Sequence, residues 1–287
     1  MGNILYGKII VIADLLQAGN TCTFTSGSTV MTKTIGVDGI VEAMLPAFKR
    51  WEVEIDGYSS YVDLGCGECH TVNLALDKTT WQGIQNILDA HRETELLEVG
   101  DEVIAEIGGV NVPFQIAAIN LYNSHEIIFI SKNCVDMRQQ RTSGGNSGGW
   151  SASLVRTYLN STFKQSLPDE VKNNIKTFLF YASTGTTTAT AYATSDDIWI
   201  PRISEVTGQA GTSLPAEAAY CMQYPIFITT EQRIKTYGGG AQNWWTASAT
   251  KDRNDGTGYI SYSGAASSGS ESYAWGIVPC FRFTANN

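Results

Sequence analysis

The sequence predicts an α+β chain of two domains. Three observations carry that expectation. Short alternating strands fill the first 76 residues. A helical apolar stripe follows them. Beyond residue 98 the chain mixes strands, helices and long loops rich in Ser, Thr and Gly. With 287 residues there is length for about two domains.

Residues 1–76 carry the strand runs. Ile4 to Ile12 is the first, and its apolar core Ile9-Ile10-Val11-Ile12-Ala13 is broken by Asp14, so it reads as a strand and not as a signal peptide. Thr21 to Thr25 and Thr29 to Thr32 flank Ser26-Gly27-Ser28. Trp51-Glu52-Val53-Glu54-Ile55 alternates cleanly, and Asp56-Gly57 behind it is a hairpin signal. Tyr61 to Leu64 and Thr71 to Leu74 complete the pattern of a small β-sandwich. In residues 77–97, Asp77 can cap a helix, and Trp81, Ile84, Ile87, Leu88 and His91 recur at helical spacing, as a helical connector would show.

Residues 98–287 open with strands from Asp101 to Ile130. A helix is expected from Ser147 or Ser151 through Phe163, on the stripe Trp150, Leu154, Val155, Tyr158, Leu159 and Phe163. A second should start at Pro168-Asp169-Glu170 and align Val171, Ile175 and Phe178. Ile198 to Pro201 and Gly276 to Phe283 read as buried strands.

Composition narrows function. Charged residues make up 16% of the chain and the net charge is −9. Nucleic-acid binders need clustered Lys and Arg, so no nucleic-acid partner is expected. No apolar run is long enough to span a bilayer, so no membrane insertion is expected. Six cysteines scattered over a chain of this size do not form a disulfide framework, and mostly free thiols follow.

Several motifs suggest chemistry and are outweighed. Gly145-Asn146-Ser147-Gly148-Gly149 fits a serine-hydrolase elbow, but a nucleophilic serine needs a histidine and a carboxylate in reach. The stretch before it, Met137 to Thr142, is polar where an elbow needs a buried strand. Cys66-Gly67-Glu68-Cys69-His70 spells a haem-attachment motif, but it sits between two strands and reads as a turn. Asp252-Arg253-Asn254-Asp255-Gly256 gathers oxygens without the spacing of a calcium loop. No catalytic residue, metal or cofactor is assigned.

The most informative stretch is Gly240 to Trp275, where Trp244, Trp245, Tyr259, Tyr262, Tyr273 and Trp275 alternate with Ser and Gly. Tyr and Trp supply large contact area at low entropic cost, and Ser and Gly supply adaptable hydrogen bonds. Trp244, and with it Trp275, should be core. The expected ligand-binding residues are Thr246, Ser248, Thr250, Arg253, Asn254, Asp255, Tyr259, Ser261, Tyr262 and Tyr273, with Tyr259, Tyr262, Arg253 and Tyr273 as anchors.

A series of landmarks carries a resemblance over residues 78–283. They run from Lys78-Thr79-Thr80-Trp81 and Val99-Gly100-Asp101 through Asn146-Ser147-Gly148-Gly149-Trp150 and Ser195-Asp196-Asp197-Ile198-Trp199-Ile200 to Tyr224-Pro225-Ile226-Phe227, Trp244-Trp245 and Gly276 to Phe281. Together they resemble a domain of unknown function common in prophage and gut-phage proteins of Gram-positive bacteria. That domain is similar to the C-type-lectin-like, formylglycine-generating-enzyme-like branch, which includes the variable proteins of diversity-generating retroelements. Residues 1–76 resemble the Ig-like modules that precede such domains. The resemblance implies an Ig-like β-sandwich followed by a C-type-lectin-like domain. It implies a non-catalytic phage or prophage surface protein that binds a cell-surface protein or glycan. It would be made in the cytoplasm and displayed on a virion or extracellular surface, beside other virion proteins and compatible with a homo-oligomer. The alternatives are a structural virion protein without a cell ligand and a formylglycine-generating-type enzyme. The latter uses two closely spaced cysteines, whereas Cys221 and Cys280 lie far apart in sequence. Thr246-Ala247-Ser248 and Val278-Pro279 depart from the Arg-Ser-Pro and Arg-Pro often found at those places, so no particular ligand carries over.

Overall fold

The computed structural model describes residues 5–13, 17–142, 145–185, 191–209, 217–250 and 254–286, apart from the side chains of Tyr58 and Ala218. The chain is mainly β-sheet with few helices. It divides into two compact units, Met1–Leu96 with Ala285–Asn287, and Leu97–Thr284.

The first unit contains β1 (Tyr6–Ile12), β2 (Thr21–Ser26), β3 (Thr29–Thr34), β4 (Ile40–Pro46), β5 (Lys49–Ile55), β6 (Tyr58–Leu64) and β7 (Cys69–Asn73). They form two sheets, ordered β4-β1-β7 and β3-β2-β5-β6. Strand β1 runs antiparallel to β4 and parallel to β7. Alternation explains the core: Ile9, Val11, Val41 and Leu45 of one sheet and Phe24, Trp51, Val53 and Ile55 of the other point into a single cluster. Asp56 and Gly57 take φ of 55° and 83°, which closes the two-residue turn between Ile55 and its partner Tyr58.

Helices α1 (Trp81–Asp89) and α2 (Glu93–Leu96) fall within this unit. Thr80, not Asp77, is the N-cap of α1, its hydroxyl accepting from Gly83 N at 3.1 Å. Asp77 instead folds the preceding turn by accepting from Thr79 N at 2.8 Å. Asn86 donates to the carbonyls of Asn73 and Ala75, which ties α1 to the end of β7.

The second unit contains β8 (Glu102–Ile107), β9 (Val110–Ile119), β10 (Glu126–Ser131), β11 (Asp136–Arg138), α3 (Leu154–Tyr158), α4 (Lys164–Ser166), α5 (Asp169–Lys172), β12 (Phe178–Ser183), β13 (Ala191–Asp196), α6 (Ile203–Thr207), β14 (Lys235–Tyr237), β15 (Gly240–Gln242), β16 (Trp244–Ala249), β17 (Gly256–Ile260), β18 (Ala266–Ser270), β19 (Trp275–Ile277) and β20 (Cys280–Thr284). One sheet runs β20-β10-β9-β8 and a second β11-β19-β16-β17-β18; β12-β13 and β14-β15 are separate pairs.

Four sequence expectations change here. The helix expected from Ser147 or Ser151 starts at the Ser153 cap, after a 3₁₀ turn at Gly149–Ala152, and α3 runs on through a π-type turn at Leu159–Phe163 into α4. The second helix is four residues long, and Phe178 opens β12 instead of extending its face. Ile198 to Ile200 are buried, but among the described residues their only sheet contact is the bridge from Trp199 to Cys280. Pro201 next to them has no N–H to offer a ladder. Gly276 to Phe283 splits into β19 and β20 across Val278-Pro279.

Candidate ligand-binding surface

Strand β16 is buried on both faces, and this revises the expected site. Thr246, Ser248 and Thr250 have no access to a ligand. Thr246 Oγ1 donates to Gly258 O at 2.8 Å and Thr250 Oγ1 to Gly256 O at 2.9 Å. Ser248 Oγ donates to the Glu217 carboxylate and accepts from Ile203 N at 2.9 Å. A central strand covered on both sides uses its hydroxyls inside. Arg253 lies outside the described residues.

The remaining residues separate into two groups. Asn254 is exposed and Asp255 half-buried; their carbonyls accept from Asn146 N and Glu271 N. Ser261 and Tyr262 lie in the turn after β17. Ser261 Oγ accepts from Ala265 N, and Tyr262, 64% exposed, donates its N–H to Asn243 Oδ1. Tyr273, 55% exposed, lies in the turn after β18. Strand β18, roughly 17 Å long, therefore separates Tyr262 from Tyr273.

Tyr273 and Tyr259 are brought together by a residue that the sequence placed in the core. Trp275 is half-buried. Its ring stacks on Tyr273 at 5.2 Å and packs on Tyr259 at 4.1 Å and Trp245 at 4.4 Å between centroids. The register explains the cluster. Trp245 pairs with Tyr259 and Tyr259 with Ser267, so the three share one face of the sheet. Trp275 pairs with Arg138 of β11, and its ring reaches across to Gly269 of β18. A side chain at Gly269 would occupy the volume of that ring. Gly269→Ala is therefore expected to displace Trp275 and change the near-ultraviolet circular dichroism while leaving the far-ultraviolet spectrum intact.

Sequence reasoning also missed the groups that hold the Tyr273 turn. Gln139 Nε2 donates to Ser272 O at 2.6 Å. The carbonyl of Glu271 accepts from the N–H groups of Gln140 and Arg141. The Glu271 side chain is buried, accepts from Thr257 Oγ1 and pairs with Arg141. Burial raises its pKa, against the lowering effects of Thr257 and Arg141. Beside the turn, Met137, Arg138, Gln139, Leu154 and Ala274 line an open depression of about 270 Å³. The Arg138 guanidinium lies 3.5 Å from the Tyr158 ring centroid and pairs with Asp136. Nothing in local spacing announces this, because residues 136–139 and 271–275 meet only through the pairing of β11 with β19.

The other motifs resolve into structural parts. In Gly145 to Gly149, Asn146 is buried and donates to the carbonyls of Thr250 and Gly256 at 2.7 and 2.9 Å. Gly149, at φ 48°, lies against the Ser183 carbonyl, where a Cβ would collide. Cys66, in the turn entering β7, and Cys69, the first residue of that strand, are exposed free thiols, and His70 bonds to Glu68 at 2.9 Å. Among the described residues no three His, Cys, Asp or Glu side chains group as metal ligands. No helix among them is long and apolar enough to cross a membrane.

Residues 124–284, more than half of the chain, match the family described as Domain of unknown function (DUF6273), and the chain belongs to that family. The landmarks from Asn146 to Phe281 fall inside the match; those at residues 78–81 and 99–101 fall before it. Among solved structures, the Bacillus anthracis TIE protein is similar at 17% identity, over 25% of this chain and 16% of its own length, with a TM-score of 0.21. A candidate carbohydrate binding protein from Bacteroides uniformis is similar at 12% identity, over 38% of this chain and 51% of its own, with a TM-score of 0.18. The chain thus spans about a sixth of the first protein and half of the second. No curated protein matches the sequence.

Proposed function

We propose that this chain is a non-catalytic binding protein that grips a cell-surface glycan with the Tyr259–Trp275–Tyr273 cluster. In this reading the second unit is a C-type-lectin-like domain and the first an Ig-like module that displays it, on a phage or prophage-derived surface. The observation that carries the proposal is the stacked, half-open Trp275 with exposed Tyr273 on top of it.

The chemistry of the surroundings favours a sugar. Pyranose rings offer a C–H face to an aromatic ring and hydroxyls at the rim. Here the rings are flanked by Gln139, Ser267 and Ser272, which are neutral donors and acceptors. The nearby charge of Arg138 is already paired with Asp136. The turn is held before any ligand arrives, so little ordering entropy is lost on binding. The non-catalytic part rests on the candidate nucleophiles. Burial pushes the Cys221 thiol up to about 11, so it stays protonated at neutral pH and is a poor nucleophile. The loop around Ser147 is occupied by the packing of Asn146 and Gly149.

Binding to purified Gram-positive cell walls tests the ligand class. Capture should survive protease treatment of the walls and be lost after periodate oxidation. The reverse pattern identifies a protein ligand, and no capture of either preparation overturns the proposal.

A further inference from the structure

The edge strand β18 has its own binding chemistry. Among the described residues it pairs with β17 alone and is the last strand of its sheet. Ser261 N donates to Ala265 O, and Glu271 N to Asp255 O. These bonds fix the phase of the β17–β18 ladder: Tyr259 with Ser267 and Thr257 with Gly269 are its hydrogen-bonded pairs. The intervening residues Ala266, Ser268 and Ser270 therefore turn their backbone N–H and C=O groups away from β17, along the open edge. Apart from the Ser270 carbonyl, which accepts from Tyr273 N, none of these outward groups has a partner among the described residues.

Sheet edges are usually blunted by lysine, proline, a bulge or a covering loop. The sequence Ala-Ser-Ser-Gly-Ser has none of the first two, and its pairing with β17 shows no register shift. It also carries no charge in a chain of net charge −9. We infer that β18 pairs antiparallel with β18 of a second copy of this chain about a two-fold axis at Ser268.

The register commits to that occupant. The two faces must coincide across the axis, and only outward-pointing residues can exchange hydrogen bonds. Ser268 then faces Ser268 of the other copy, and Ala266 faces Ser270, whose N–H donates across the axis while its carbonyl stays with Tyr273 N. No charge meets a like charge, as it would if β18 held a Lys or Glu at its centre. The same axis brings the Tyr262 turn of one copy to the Tyr273 turn of the other. It thereby joins the two exposed tyrosines that β18 holds apart in one chain. The contact uses the edge of the sheet and leaves the Trp275 face open, so it does not depend on what that face binds.

Sedimentation of the full chain at micromolar concentration tests the pairing. The wild type should be a dimer. Ser268→Lys, which sets two cations across the axis, should raise the dimer dissociation constant about tenfold or more and leave the melting temperature of the diluted monomer unchanged. Ser268→Cys, in a Cys66→Ser and Cys69→Ser background, should form an intermolecular disulfide under mild oxidation. The Cα separation of such a pair, about 5.5 Å, lies within the disulfide range of about 4.4–6.8 Å. A monomeric wild type, or a dimer that Ser268→Lys leaves intact and Ser268→Cys does not cross-link, would overturn the inference.

Discussion

Replacing Arg202 by Met lowers the stability of the second unit by about 3–5 kcal/mol, the usual loss when one partner of a buried ion pair is removed. Arg202 and Glu205 are both fully buried and pair at 2.5 Å. Glu205 also accepts from Arg202 N at 2.7 Å and from Tyr122 OH at 2.8 Å. The guanidinium donates to Tyr181 O at 2.6 Å and lies over the Phe180 ring at 4.5 Å. Burial by itself would lower the Arg202 pKa, and the Glu205 carboxylate more than reverses this. The variant leaves that carboxylate without its counter-charge. Urea unfolding should show the loss as an earlier midpoint. The double variant Arg202→Met with Glu205→Leu should recover much of it, since an apolar pair of similar volume can replace a buried ion pair. Equal loss in single and double variants would mean that packing, not charge, holds the site.

The second large effect is a pH dependence centred on Glu217. Burial raises its carboxyl to about 7, against the lowering effects of Ser248, the Ser183 N–H and Arg202; Glu205 adds to the rise. Ser248 lies on β16 and Ser183 on β12, so this one carboxylate links two strands. The folded-state pKa is higher than the unfolded value of about 4.3. Between the two the folded chain holds the extra proton, so this group's contribution to stability falls as pH rises from about 4.3 to about 7 and is level outside that window. The span corresponds to a loss on the order of 4 kcal/mol. Glu217→Gln should remove that slope, leaving the slope due to all other groups. The check is the difference in unfolding free energy between wild type and variant across the window. A constant difference would show that Glu217 does not titrate there.

Most strands of the first unit were legible because one face is wet, but β4 was missed, since its outward residues include the apolar Ile40 and Met44. Trp51, Val53 and Ile55 point inward and Glu52 and Glu54 are less buried, so hydrophobicity alternates as the pleat does. The same rule misled on β16. Its Thr246 and Ser248 look like surface residues, but both faces of the strand are covered and the hydroxyls bond inside. The second helix was over-read because apolar spacing continues to Phe178 after the helix has ended at Lys172; the first does run through Phe163, by way of a π-type turn, as far as Ser166. Tyr259, Tyr262 and Tyr273 were identifiable as aromatic candidates, but their grouping was not. It depends on the pairing of β11 with β19 and on Gly269 giving way to the Trp275 ring, and both are set by long-range register.

The measurement that tests the central claim most directly is calorimetric titration of wild type and Tyr273→Ala with soluble fragments of cell-wall polysaccharide, alongside their melting temperatures. An aromatic anchor removed from a binding face typically weakens binding by about 2 kcal/mol, or about thirtyfold in the dissociation constant. The account predicts that loss with an unchanged melting temperature, because the Tyr273 ring is exposed and the turn is held by Gln139 and Glu271. Equal affinity of the two proteins for a saccharide ligand would contradict it.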